Sequence, residues 1–227
     1  MNAPYYLKYF YFIARNWNIK LAIFTIYYEI KGERKYHINT IEMNDFQHEK
    51  IQSNHLAHAS IYQASNYYMI EKAFGYLKKE NVINNIIDFG SGKGRIMVVA
   101  ANFGFKKITG IDFSESLCRE AEANIEKIKA SFPATYFKVV CGDAFSYAPD
   151  NDDNVFFFFN PFDEIIMLQV VKNILYSIKQ NPRKVLIVYL NPLYKEIFLS
   201  AGFEEEYSFR KMEYQEFSIL SKDSGAD

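Results

Sequence analysis

The chain is poor in several things that would have settled its class at once. Two cysteines, Cys118 and Cys141, are too few for a disulfide framework and fit a reducing, cytoplasmic setting. The 26 Lys and Arg against 27 Asp and Glu leave a formal charge of −1. No general basic field therefore exists to hold nucleic acid by charge alone, and a protein or small-molecule partner is the better expectation. Long apolar runs are absent too. The most apolar stretch, residues 5–28, is broken by Lys8, Arg15 and Lys20, and its longest uncharged piece is 21–28. That falls far short of the ~18 residues a spanning helix needs. It ends in Tyr27 and Tyr28 and runs into Glu29, where a signal peptide wants small residues for cleavage. His48, His55 and His58 have no cysteine near them and meet no zinc-site spacing, so no metal is expected.

What is present is enough chain for one substantial domain with an extension: 227 residues, 49% hydrophobic and 23% charged. Aromatic residues reach 18%, with a dense cluster between Tyr5 and Tyr28. The cluster reads as a helical extension packing on the main domain, with a partner or a membrane surface as the alternative. From Gly32 to His58 the composition turns polar, as in a connector. The division expected is thus an aromatic-rich extension and connector over 1–58 and a main domain over 59–227. Apolar residues at helical spacing predict a helix over 56–79.

Beyond it, strand and helix patterns alternate. Strands are predicted at 82–89, 107–112, 136–141, 155–159 and 184–190, and helices at 95–102, 114–130, 163–179 and 193–200. Two further strands, 203–210 and 213–221, make a terminal hairpin. Alternation of this kind argues for an α/β, doubly wound, Rossmann-like fold: a mostly parallel seven-stranded sheet with helices on both faces, closed by antiparallel edge strands. Ligands of such sheets bind beyond the carboxyl ends of the strands.

Four of those ends are informative. The first is Asp88-Phe89-Gly90-Ser91-Gly92-Lys93-Gly94-Arg95, where three glycines let the backbone approach a ligand and Asp88 offers a carboxylate. A dinucleotide-binding loop would want a small residue where Arg95 stands, and a P-loop would want Ser or Thr after Lys93. The second ends in Asp112, placed to accept ribose hydroxyls. The third ends in Cys141-Gly142-Asp143-Ala144, with an acceptor for an exocyclic amine. The fourth ends in Asn160-Pro161-Phe162, where an amide, a carbonyl and an aromatic face could hold a planar nitrogen.

Taken in order, these ends resemble the class I S-adenosylmethionine-dependent methyltransferases over about residues 81–221. The resemblance implies S-adenosylmethionine as cofactor and makes the protein an enzyme transferring a methyl group to an unidentified acceptor. It places Asp88, Gly90, Gly92 and Gly94 against the methionine part, Asp112 with its neighbour Phe113 at the ribose, and Asp143 with Ala144 at the adenine. Asn160-Pro161-Phe162 is similar to the Asn/Asp-Pro-Pro-Tyr/Phe motif of amino-group methyltransferases but lacks its second proline, which leaves an amino or amide nitrogen as one acceptor among others. Tyr62 and Tyr67 are candidates to close over cofactor or substrate. Two other classes stay open: an NAD(P)-dependent oxidoreductase, against which Arg95 and the hairpin argue, and a noncatalytic partner-binding domain. As an appendage, the extension is expected to shape the acceptor site, and removing residues 1–54 is expected to leave cofactor binding largely intact.

Overall fold

The structure is a computed structural model that describes residues 3–41, 63–213 and 215–223. Its core is a seven-stranded sheet: β1 (Asn85–Phe89), β2 (Lys107–Asp112), β3 (Tyr136–Cys141), β4 (Val155–Phe158), β5 (Val185–Leu190), β6 (Glu204–Met212) and β7 (Gln215–Lys222). Their order across the sheet is β3-β2-β1-β4-β5-β7-β6. The first five strands are parallel, and β7 runs antiparallel between β5 and β6. The hairpin therefore does not add two edge strands: only β6 lies at the edge. β7 is interior because Phe217, Ser218, Ile219, Leu220 and Ser221 form a run buried on both faces, while β6 is mostly exposed.

Helices α4 (Arg95–Phe103), α5 (Glu115–Ile128), α6 (Glu164–Gln180) and α7 (Lys195–Ser200) follow β1, β2, β4 and β5. Strand side chains alternate between two cores. Ile86, Ile108, Val155, Phe157 and Val188 meet one set of helices, while Ile87, Ile111, Phe156, Phe158 and Ile187 meet α6 and α7. β4 and β5 are buried at every position, as central parallel strands covered on both faces must be. Caps fix the helix starts. Ser114 Oγ accepts from the Leu117 amide at 3.3 Å, and Asp163 Oδ1 accepts from Ile165 at 3.1 Å and Ile166 at 3.3 Å.

The extension is a helical hairpin, α1 (Ala3–Asn16) and α2 (Ile19–Tyr36), followed after the connector by α3 (Tyr67–Lys79). Two expectations change here. The predicted connector began at Gly32, yet α2 runs through Gly32 and ends with His37 in the left-handed region at φ 57°. Gly32 is there because a β-carbon would collide with the Tyr67 ring, so a residue that looks like a breaker marks a close helix contact. The helix predicted from residue 56 begins at Tyr67, where Asn66 caps it by accepting from the Tyr68 amide at 2.9 Å, and residues 63–66 form no helix or strand. His48, His55, His58, Tyr62 and the domain boundary at 58 lie outside the described residues. No helix among the described residues is long and apolar enough to cross a membrane.

Candidate functional site

Register brings the strand ends together. Phe89 of β1 lies opposite Ile111 of β2 and Phe158 of β4, and Asp112 lies opposite Cys141 of β3. Asp88, Asp112, the turn at Asp143 and the Asn160-Pro161 corner thus share one edge of the sheet.

The glycine loop is tied down by β2. Gly90 and Ser91 both donate their amides to the Ile111 carbonyl at 2.9 Å, and Gly92 donates to Asp112 Oδ2 at 2.8 Å. Asp112 Oδ1 accepts from the Ser114 amide at 3.0 Å, so this carboxylate joins the loop to the start of α5. Glycines 90, 92 and 94 have φ of 78°, 50° and 77°, in the left-handed region that side chains avoid. At Gly90 a β-carbon would also strike Pro161, so the corner after β4 closes directly over the loop. Asp143 accepts from the Phe145 amide at 2.9 Å and starts a short 3-10 turn at Ala144, with both residues half-buried. Phe113 is also half-buried.

Two buried polar atoms along this loop have no hydrogen-bond partner: Asp88 Oδ2 and Ser91 Oγ. Asp88 is 2% exposed, and burial, with Asp112 adding repulsion, raises its carboxyl well above the ordinary range. An unpaired buried acceptor costs about 1–3 kcal/mol. A ligand that donates to Asp88 and Ser91 would satisfy both. Donors facing an open glycine backbone are what the amino-acid end of S-adenosylmethionine offers, so the residues present fit that group.

Arg95, which follows the loop, is 3% exposed. Its Nη1 donates to Glu29 Oε1 at 2.8 Å and to the Ser65 carbonyl at 2.6 Å, its Nε donates to Thr40 Oγ1 at 2.7 Å, and its guanidinium lies 4.1 Å from the Tyr67 ring centre. The extension is thereby clasped to the first turn of α4. Tyr67 belongs to this clasp: it is 1% exposed, stacks on Tyr36 at 5.5 Å, and burial pushes its hydroxyl up to about 12.

The corner after β4 is held from beneath. Asn160 adopts φ 43°, donates through Nδ2 to the Asn191 carbonyl at 2.7 Å and accepts through Oδ1 from the Tyr189 hydroxyl at 2.8 Å. Phe162 turns inward, edge-on to Phe89 and Phe158, so its ring serves the core while Asn160 and Pro161 stay half-buried at the lip. Beside the lip is a cavity of about 400 Å³ between the extension and the ends of β4 and β5. Tyr9, Trp17, Thr25 and Glu29 line it from the extension, and Asn160 and Asn191 line it from the sheet. None of the four extension residues was anticipated. Glu29 had a signal, since it falls on the buried stripe Leu21, Thr25, Gly32 and Tyr36 of α2, where a lone carboxylate demands a partner.

Residues 86–180 match the profile of the methyltransferase domain family. A proposed RNA methyltransferase from Pyrococcus horikoshii, PH1948, has the same fold at 14% identity, with 86% of this chain and 96% of that one covered and a TM-score of 0.55. Magnesium protoporphyrin IX methyltransferase from Synechocystis PCC 6803, solved with bound S-adenosylmethionine, aligns at 12% identity over 70% of this chain and 85% of that one, TM-score 0.51. The ribosomal protein L11 methylase of Lactobacillus delbrueckii subsp. bulgaricus aligns at 14% identity over 70% and 81%, TM-score 0.51. No curated protein matches the sequence. The strand order, the glycine loop and the matched segment define a Rossmann-like fold of the kind methyltransferases use. More particularly, residues 86–180 carry a segment similar to the methyltransferase domain family, on a fold shared with a methyltransferase solved with bound S-adenosylmethionine.

Proposed function

We propose that Asp88, Gly90, Gly92, Gly94, Asp112, Phe113, Asp143 and Ala144 hold S-adenosylmethionine, and that the acceptor is an amino or amide nitrogen presented from the cavity beside Asn160. The observation that carries this reading is the tie from Gly92 N to Asp112 Oδ2 at 2.8 Å, which fixes the glycine loop beside Asp88, whose Oδ2 has no partner, and beneath the Asn160-Pro161 corner. When bound, the cofactor supplies an electrophilic methyl on a sulfonium. Transfer then needs chiefly alignment and exclusion of water. The bond to the acceptor nitrogen would form as the methyl–sulfur bond breaks, with the electron pair left on sulfur and the acceptor's proton passing to solvent. Asn160 and the Pro161 carbonyl orient the nitrogen, and Phe162 acts as the packed base beneath them. A cytoplasmic setting is part of the same reading, supported by two free thiols.

Calorimetry with S-adenosylhomocysteine and with NAD tests the site. Binding of the first but not the second is expected, and Asp112→Ala should weaken it about tenfold or more by releasing the loop. NAD binding in its place would return the oxidoreductase reading.

A further inference from the structure

The cavity beside Asn160 has a chemical character that narrows the acceptor. Among its described lining residues are three carboxylates, Glu29, Glu213 and Glu216, and no Lys, Arg or His. Tyr9 and Trp17 add aromatic surface to the same wall. Glu29 is 1% exposed and gives Oε1 to Arg95, whereas Oε2 has no hydrogen-bond partner. Asn66 is 7% exposed and lines the same cavity. Its Oδ1 is taken by the Tyr68 amide, but its Nδ2 has no partner. A buried acceptor left bare is costly, and Glu29 Oε2 is satisfied by a ligand carrying an N–H group, while the Asn66 amide can point its N–H at an aromatic face of the ligand's body. Arg95 offsets Glu29, and Arg210 stands 3.9 Å from Glu216 while 60% exposed, which leaves the cavity mouth net negative.

Resting on the methyltransferase reading, we infer that the acceptor is a small cationic amine with an apolar or aromatic body, and not a phosphate-bearing molecule. Carboxylates attract an ammonium and repel phosphate, and aromatic faces favour a cation over an anion of equal size. The volume suits a compact ligand: ~300–1,000 Å³ is the usual range for small-molecule pockets. An RNA strand would bring phosphates against Glu213 and Glu216.

Three probes of matched size separate charge from shape: 2-phenylethylamine, 2-phenylethanol and phenylacetate, each titrated by calorimetry into the full chain saturated with S-adenosylhomocysteine. The amine is expected to bind about tenfold or more tighter than the alcohol, with phenylacetate weakest. Replacing Glu213 and Glu216 together by Gln, exposed and half-buried positions away from the glycine loop, should weaken the amine about threefold or more and leave the alcohol unchanged. Equal binding of all three probes, no binding by any of them, or a double variant that leaves the amine unaffected overturns the inference. So does methyl label from S-adenosylmethionine appearing in RNA or protein and not in the amine. Failure of S-adenosylhomocysteine to bind is a separate outcome: it removes the cofactor reading, while the ranking of probes measured without it still decides the cavity's preference.

Discussion

Asp88 is the side chain whose setting makes the sharpest demand. Its carboxyl is buried, without a partner at Oδ2, and raised well above the usual carboxylate range by burial and then by Asp112. A raised acid favours the protonated folded state. Its contribution to stability is therefore present at low pH and is lost as pH climbs from the ordinary carboxylate range through the raised one. A cofactor that donates to Asp88 favours the charged form, so affinity should rise over the same window and then level off, with a proton released on binding. Calorimetry of S-adenosylhomocysteine at several values between about pH 5 and pH 8 should show this slope, and Asp88→Asn should flatten it. A wild-type affinity independent of pH would remove the contact. At Asn160 the amide already serves Asn191 and Tyr189, and φ is 43°. Asn160→Gly keeps that backbone and loses the amide, so it should lower kcat about tenfold or more with cofactor affinity little changed. Asn160→Ala should add a stability loss of about 1 kcal/mol from the left-handed backbone. Weakened cofactor binding at unchanged kcat would move Asn160 into the cofactor pocket. Asp88, Asp112 and the glycines were readable because a strand end fixes their place. The inward turn of Phe162 was not, because which way a side chain points after a strand depends on neighbours from α6 and β1.

The helices α2, α3 and α4 meet at a contact that spacing along the chain does not announce. Glu29 and Arg95 are 66 positions apart and form a buried pair at 2.8 Å, with Thr40, Ser65 and Tyr67 around the guanidinium. Breaking one side of such a pair leaves an uncompensated charge, at a cost of about 3–5 kcal/mol. Glu29→Ala should therefore lower Tm by roughly 10 °C, while Glu29→Gln, which can still accept from Arg95, should lose far less. Equal melting points for the wild type and Glu29→Ala would mean the clasp carries no stability. Two strands were readable to the residue, 107–112 as the buried β2 and 136–141 as the alternating edge strand β3, whereas β1 begins at Asn85, three residues into the predicted 82–89. The start of α3 and the run of α2 through Gly32 were not. In both places a tertiary contact, Tyr67 against a bare backbone, decides against the local signal of a polar, glycine-bearing stretch.

Aromatic enrichment and a polar stretch suggested an extension packing on the main domain, and α2 does pack there, against α3 and the start of α4. α2 supplies Glu29 to the turn after the glycine loop, Gly32 to the ring of Tyr67, and one wall of the cavity beside Asn160. Without α1 and α2, Arg95 would lose Glu29, and Tyr67, Met69 and Ile70 would lose part of their cover. This contact argues against the expectation that removing residues 1–54 leaves cofactor binding largely intact. Deleting residues 1–36 should lower the urea midpoint and weaken S-adenosylhomocysteine about tenfold or more, because the first turn of α4 is no longer held. The outward face of the same hairpin makes the control. Tyr11 is 64% exposed and Tyr27 is 57% exposed, so Tyr11→Ser with Tyr27→Ser removes aromatic surface from the extension without touching the clasp or the cavity. That double variant should change stability by no more than about 0.5 kcal/mol and leave cofactor binding alone. If the truncated chain binds S-adenosylhomocysteine as tightly as the full chain, α2 is a cover for the acceptor alone and the clasp has no hold on the glycine loop.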